Sequence, residues 1–234
     1  MRVHCREAGQ SCQRVTRVVV AAHEDGETFG CGGLLAKYCD ESAVVPLSGL
    51  DEERALEFKN AQRVLGYGES FFFNLPAGRA GEDMPGLVGM LSDPCARTRL
   101  VERYMPFPSV DQDRAAAFEA YVLLCRPSPS DHRWVSPLIL MYGVVAGGIP
   151  EGSTDVRWNI YEPLAESDLD HKIAAARAYR SRRDAIRCQE GAIKGQAHDV
   201  GSVRMLPWAE QFAVVPGSRG EEISARLLLT GAKL

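Results

Sequence analysis

The chain has 234 residues, with 27 Lys plus Arg against 31 Asp plus Glu and a formal charge of −4 at pH 7. At 45% apolar and 25% charged residues it has the make-up of one globular domain of about 200 residues, which excludes a disordered chain, a collagen-like fibre and a disulfide-dense mini-scaffold. The acidic balance gives no electrostatic reason to expect nucleic acid or an anionic membrane as partner. No apolar run approaches the about 18 residues of a membrane span, and the polar N-terminus does not read as a secretory signal, so a cytoplasmic protein is expected.

Residues 1–15 read as a polar arm, 16–220 as a single domain and 221–234 as a polar tail. Arg17 to Ala22 is a short β-branched run of the kind that fills a strand buried on both faces. His23 to Thr28 reads as a turn, after which Gly30, Gly32 and Gly33 lead into a helical stretch from Leu34 to Tyr38. Asp51 to Gly66 has helical spacing of apolar residues, acids in its first turn and glycine at its end. Phe71 to Phe73 reads as a strand, Pro76 to Glu82 as a loop, Met84 to Leu100 as a helix and Tyr104 to Phe107 as a strand end. Ala115 to Leu124 follows as a helix and Leu138 to Val145 as a strand. This alternation favours an α/β fold: a Rossmann-like, mostly parallel sheet flanked by helices.

The last third changes character. Val156 to Pro163 is expected to be extended, Asp168 to Cys188 a long charged helix whose Arg177, Arg180, Arg182 and Arg183 form a solvated face, and Gly191 to Ser202 a break. Trp208 to Phe212 reads as a turn into a closing strand over Ala213 to Val215. The seven cysteines are scattered without a Cys-x-x-Cys pair and are expected to be reduced thiols.

His23 to Glu27 places an imidazole and three carboxylates directly after a buried strand, and in open α/β sheets ligands bind at the carboxyl ends of strands. The plainer reading of the same segment is a solvated acidic turn. The frame Ala22-His23-Glu24-Asp25-Gly26-Glu27-Thr28-Phe29-Gly30-Cys31-Gly32-Gly33 resembles the signature of the LmbE-like, or PIG-L, N-acetylglucosaminyl deacetylases. That signature reads Ala-His-Pro-Asp-Asp-Glu, two residues, then Gly-Cys-Gly-Gly. Arg54 and Glu57, before Val64-Leu65-Gly66, are similar to a second motif, Arg-x-x-Glu before a helix ending in Leu-Gly. Ser109-Val110-Asp111-Gln112-Asp113-Arg114 aligns without gaps to a third, Asp-x-His-x-Asp-His. A rival register drops several residues and places Pro127-Ser128-Pro129 and Asp131-His132-Arg133 there instead. Ser153-Thr154-Asp155, Lys172 with Tyr179, and Ala209-Glu210-Gln211-Phe212 resemble C-terminal motifs of a sugar-processing branch.

The resemblance implies a sheet whose strand-end loops hold one zinc ion, and an enzyme that hydrolyses the acetamide of an N-acetylated amino sugar conjugate. A divalent ion lowers the pKa of bound water toward about 7 while a carboxylate takes the proton. Carried onto this chain, His23 keeps a ligand role, Asp25 that of general base, and Arg54 with Glu57 that of substrate contact. The second ligand position holds Gly26 and the third Arg114, while Asp111 stands where a histidine assists and Asp113 is retained. A glycine offers no side chain, and a guanidinium does not ligate zinc.

Three readings follow. The chain is an enzyme with replacement ligands drawn from Glu24, Glu27, Asp111, Asp113 and His132, whose oxygens favour a harder metal than zinc. Alternatively it is a metal-free pseudoenzyme that binds a sugar or a partner, Arg114 standing where the ion would sit. The third reading, a nucleotide-binding glycine loop, fits poorly because position 35 is Leu and the preceding acids would repel phosphate. Trp134, Trp158 and Trp208 are candidates for stacking on a sugar ring, although indoles more often pack in a core.

Overall fold

A computed structural model of the chain describes residues 15–49, 51–98, 101–125, 136, 138–144, 156–182 and 189–215. His132, Trp134, Ser153 to Asp155, Arg183, residues 1–14 of the arm and the tail over 221–234 lie outside the described residues. In chain order the elements are β1 (Arg17–Ala21), α1 (Gly26–Lys37), β2 (Ser42–Pro46), α2 (Glu52–Leu65), β3 (Glu69–Ser70), α3 (Met84–Thr98) and β4 (Glu102–Pro106). They continue as α4 (Gln112–Leu124), β5 (Leu138–Tyr142), β6 (Trp158–Pro163), α5 (Glu166–Ala176), α6 (Glu190–Ser202) and β7 (Ala209–Val214).

The strands form one seven-stranded sheet in the order β3-β2-β1-β4-β5-β7-β6. β1 to β5 run parallel, and β7 is antiparallel to both β5 and β6. Val18, Val19, Val20 and Ala21 are buried on both faces, as the unbroken apolar run requires. On one face Val18, Val20, Ala43 and Val45 pack against Leu87 and Leu91 of α3 and Ala116, Ala117 and Ala120 of α4. On the other, Val19, Val44, Tyr104 and Leu140 meet Leu34, Leu35 and Phe58 of α1 and α2. A third cluster joins Phe29 to Leu169 and Ile173 of α5 and to Ile193 and Ala197 of α6. Among the described residues no helix is long and apolar enough to cross a membrane.

Chain order and strand order together set the site. From β1 the chain moves to β2 on one side and returns to β4 on the other, so the order reverses between β1 and β4. At such a switch point the two following loops diverge and open a crevice at the carboxyl ends of the strands. The residues there are the His23 loop after β1 and the stretch to Asp111 after β4.

Several expectations are corrected. Gly26 to Thr28 are not turn but the first turn of α1. β2 was not anticipated, because its apolar core is only Ala43-Val44-Val45. The strand near the three phenylalanines is Glu69–Ser70. The backbone amides of Phe71 and Phe73 still reach the carbonyls of Val44 and Pro46 (3.0 and 3.3 Å), and their rings pack in one core while that of Phe72 packs in the other.

The long helix over Asp168 to Cys188 ends at Ala176, and a 3-10 turn over Arg180–Arg182 follows. There both carboxylate oxygens of Glu57 in α2 hold the backbone and hydroxyl of Ser181 (2.8 and 2.6 Å) and draw the chain toward α2. Arg177 and Arg180 are solvent-exposed. The break over Gly191 to Ser202 is the helix α6, because burial of Ile193 and Ala197 outweighs the poor helix propensity of its glycines. Trp208 to Phe212 is no turn: β7 starts at Ala209.

Candidate functional site

The crevice between β1 and β4 holds His23, Glu24 and Asp25 from one loop and Asp111 and Asp113 from the start of α4. Asp111 is the N-cap of α4, its Oδ1 accepting the Arg114 backbone N–H at 3.0 Å. Its other oxygen lies 2.7 Å from His23 Nε2. Desolvation acts to raise the Asp111 carboxyl. The hydrogen bonds from Arg114 N–H and His23, with the charges of His23 and Arg114, outweigh it and hold the carboxyl below its ordinary range.

Asp113 is 2% exposed and accepts the backbone N–H groups of Gly78 (2.6 Å) and Ala80 (3.0 Å), so it pins the loop before α3 against α4. His23, Asp111 and Asp113 each offer a ligand atom within 4.8 Å of the others. In the ungapped register the third motif thus meets His23, while the rival register, with His132, falls outside the described residues.

Asp25, 2% exposed, occupies the N-cap position of α1, and its carbonyl accepts the Phe29 N–H at 3.1 Å. Glu24 is equally buried, and the Arg54 guanidinium lies 3.5 Å from its carboxylate and 3.7 Å from that of Asp51. Arg54 is still 39% exposed, so its head group borders the crevice and solvent. Glu57 does not join this group, since Ser181 takes both its oxygens.

Three further residues shape the site, and of these Tyr142 was not singled out from sequence. Glu27 is completely buried, with the Thr28 and Tyr179 hydroxyls 2.7 and 2.6 Å from Oε1. Desolvation dominates and pushes its carboxyl up to about 8, so it is largely protonated at neutral pH. Tyr179 also lies 2.6 Å from the Glu24 carbonyl. A neutral Glu27 can donate to the Tyr179 oxygen while Tyr179 donates to Glu24, which ties the His23 loop to the end of α5. Tyr142, at the carboxyl end of β5, donates its hydroxyl to the Val20 carbonyl at 2.8 Å. Its oxygen stands 3.6 Å from where a Cβ on Gly26 would project. The same ring packs against Gly30, where an added Cβ would fall 2.1 Å from Cδ2. This close approach explains one glycine of the signature. A Tyr at a strand end was the only sequence signal for it.

The C-terminal motif residues act on α1. The helix is kinked at Cys31 (φ −133°, ψ 17°), which frees the next amides from their helical partners. Glu210 of β7 accepts the N–H groups of Gly33 and Leu34 at 2.9 and 2.8 Å, and Lys172 of α5 sits 2.7 Å from it.

These donors do not reproduce the zinc site that the resemblance implies. Gly26 contributes no ligand, and Arg114 brings a fixed positive charge that repels a dication. The Asp111 oxygen nearest His23 is hydrogen-bonded to its Nε2. A catalytic zinc takes three protein ligands and keeps one open position.

No family model matches the sequence, and no curated protein matches it. Solved structures do. The conserved protein TT1542 from Thermus thermophilus superposes with a TM-score of 0.70 at 24% identity, over 88% of this chain and 99% of that one. The N,N′-diacetylchitobiose deacetylase from Pyrococcus horikoshii, complexed with its inhibitor, gives 0.64 at 15% identity over 88% of each chain. A zinc-inhibited form of the teicoplanin deacetylase Orf2 gives 0.64 at 10% identity, over 86% of this chain and 99% of that one. At these identities the fold is what is shared: this chain has the LmbE-like deacetylase fold.

Proposed function

We propose that this chain binds an N-acetylated amino sugar conjugate in the β1/β4 crevice and does not hydrolyse it. The observation that carries the reading is the pairing of Asp111 with His23 at 2.7 Å, while Arg114, whose charge acts on Asp111, stands at the motif position of the third zinc ligand. A guanidinium stabilises an acetamide carbonyl by hydrogen bonding, yet it cannot generate a hydroxide nucleophile as a bound dication does. Asp25 accepts a hydrogen bond from the sugar amide or a hydroxyl, and the half-exposed Arg54 meets the ring oxygens. The deacetylase neighbours support the sugar ligand.

Titration with a panel of N-acetylglucosamine conjugates, with amine release followed in the same samples, tests this. Binding that weakens in Arg54→Ala without any amine formed is expected. Amine release that disappears in Asp25→Ala would overturn it.

A second reading has one specific observation in its favour, the convergence of His23, Asp111 and Asp113. One imidazole and two carboxylates suit a harder dication than zinc. Amine release that requires Mn2+ and is lost in Asp111→Asn would establish that reading.

A further inference from the structure

A cavity of about 420 Å3 opens between α1, α5, α6 and the last two strands of the sheet. Its size falls in the range of about 300–1,000 Å3 usual for small-ligand sites. Among the described residues Phe29, Trp158 and Ile193 give its wall apolar surface, and Lys172, Gln196 and Gln211 give it polar atoms. His23, Asp25, Arg54 and Asp111 of the crevice do not line it, so its chemistry has to be read on its own.

Lys172 and Glu210, 4% and 5% exposed, set the charge of the wall. Both oxygens of Glu210 are engaged, by the Gly33 and Leu34 N–H groups and by Lys172 Nζ at 2.7 Å. The ammonium carries three donors, and among the described residues Glu210 is its one hydrogen-bond acceptor. A donor buried without an acceptor is costly, and an oxygen placed in the cavity would relieve that cost. The charges of the pair cancel. A free anion entering the cavity would face the Glu210 carboxylate and a free cation the Lys172 ammonium, each after losing its hydration. An uncharged acceptor escapes both penalties. A hexose, hydroxylated around its whole edge, would press unpaired hydroxyls against Phe29 and Ile193. A flat apolar ring that carries a single carbonyl would not, and it suits the aromatic surface of Phe29 and Trp158.

We propose that this cavity is a binding site for a small uncharged aromatic carbonyl compound, independent of the sugar crevice. Calorimetric titration of the full chain with acetophenone, benzoate and benzylamine compares a neutral, an anionic and a cationic substituent on one ring. Acetophenone should bind at millimolar concentration, with an affinity at least about tenfold above that for either charged ligand. Saturating N-acetylglucosamine should leave that affinity unchanged, whether or not the crevice takes the sugar. Val200 lines the cavity from α6 and is only half-buried, so Val200→Trp fills the space from its rim and should abolish binding. The comparison among the three ligands needs no variant and decides the matter if Val200→Trp does not fold. No binding of acetophenone, equal affinity for the three ligands, displacement by N-acetylglucosamine, or binding that survives in folded Val200→Trp overturns the proposal.

Discussion

The Glu27 carboxyl sits in the first turn of α1 with two hydroxyls around it, and removal from water raises it from 4.5 to about 8. It binds its proton more tightly in the folded chain than in the unfolded one. Its stabilising contribution is therefore complete below about pH 4.5 and disappears as pH rises through about 8. Glu27→Gln keeps a neutral side chain at every pH. The thermal midpoint of the wild type should fall relative to that variant between about pH 4.5 and about pH 8, and parallel curves would refute the assignment. At this scale the sequence marked His23, Asp111 and Asp113 by their spacing, and the fold brings their ligand atoms together. Glu27 was not legible as a buried group, since Tyr67 and Tyr179, which surround it, arrive from elements remote in the chain. Tyr142 was hidden by its setting in an apolar strand.

Among the elements, α1 bears most directly on the site because its first turn carries Gly26 and its N-cap position is Asp25. Its kink at Cys31 is held by Glu210, and Glu210 is balanced by Lys172, both side chains being 5% exposed. Lys172→Met leaves a buried carboxylate without its counter-charge and should lower stability by about 3–5 kcal/mol. Adding Glu210→Gln removes that charge, so the double variant should lose less than the sum of the two single losses in urea denaturation. Strict additivity would mean that the pair does not act as one clamp.

Most elements were readable from periodicity and caps. Asp51 and Gly66 bracket α2, Asp51 accepting the Arg54 N–H at 2.9 Å and Gly66 adopting the left-handed φ of 84° that ends the helix. The exceptions have tertiary causes. The glycines of α6 read as a break because only its packing against α1 and α5 reveals the apolar face, and α5 stops early where Glu57 captures Ser181.

For the whole molecule, the parallel order β3-β2-β1-β4-β5 and the reversal between β1 and β4 place a crevice where the sequence expected a ligand. The fold was legible because a doubly covered parallel sheet demands unbroken apolar strands and alternating helices. Whether the crevice retains its chemistry depends on two corners, Gly26 and Arg114. A Cβ on Gly26 meets nothing closer than 3.6 Å, so the fold tolerates a larger residue there. Zinc content, measured on the purified wild type and on the Gly26→Asp/Arg114→His variant after identical zinc loading and dialysis, tests this directly. The wild type should retain far less than one ion per chain and the variant about one, since the change restores the imidazole and carboxylate corners. A stoichiometric, chelator-removable zinc in the wild type would contradict the account.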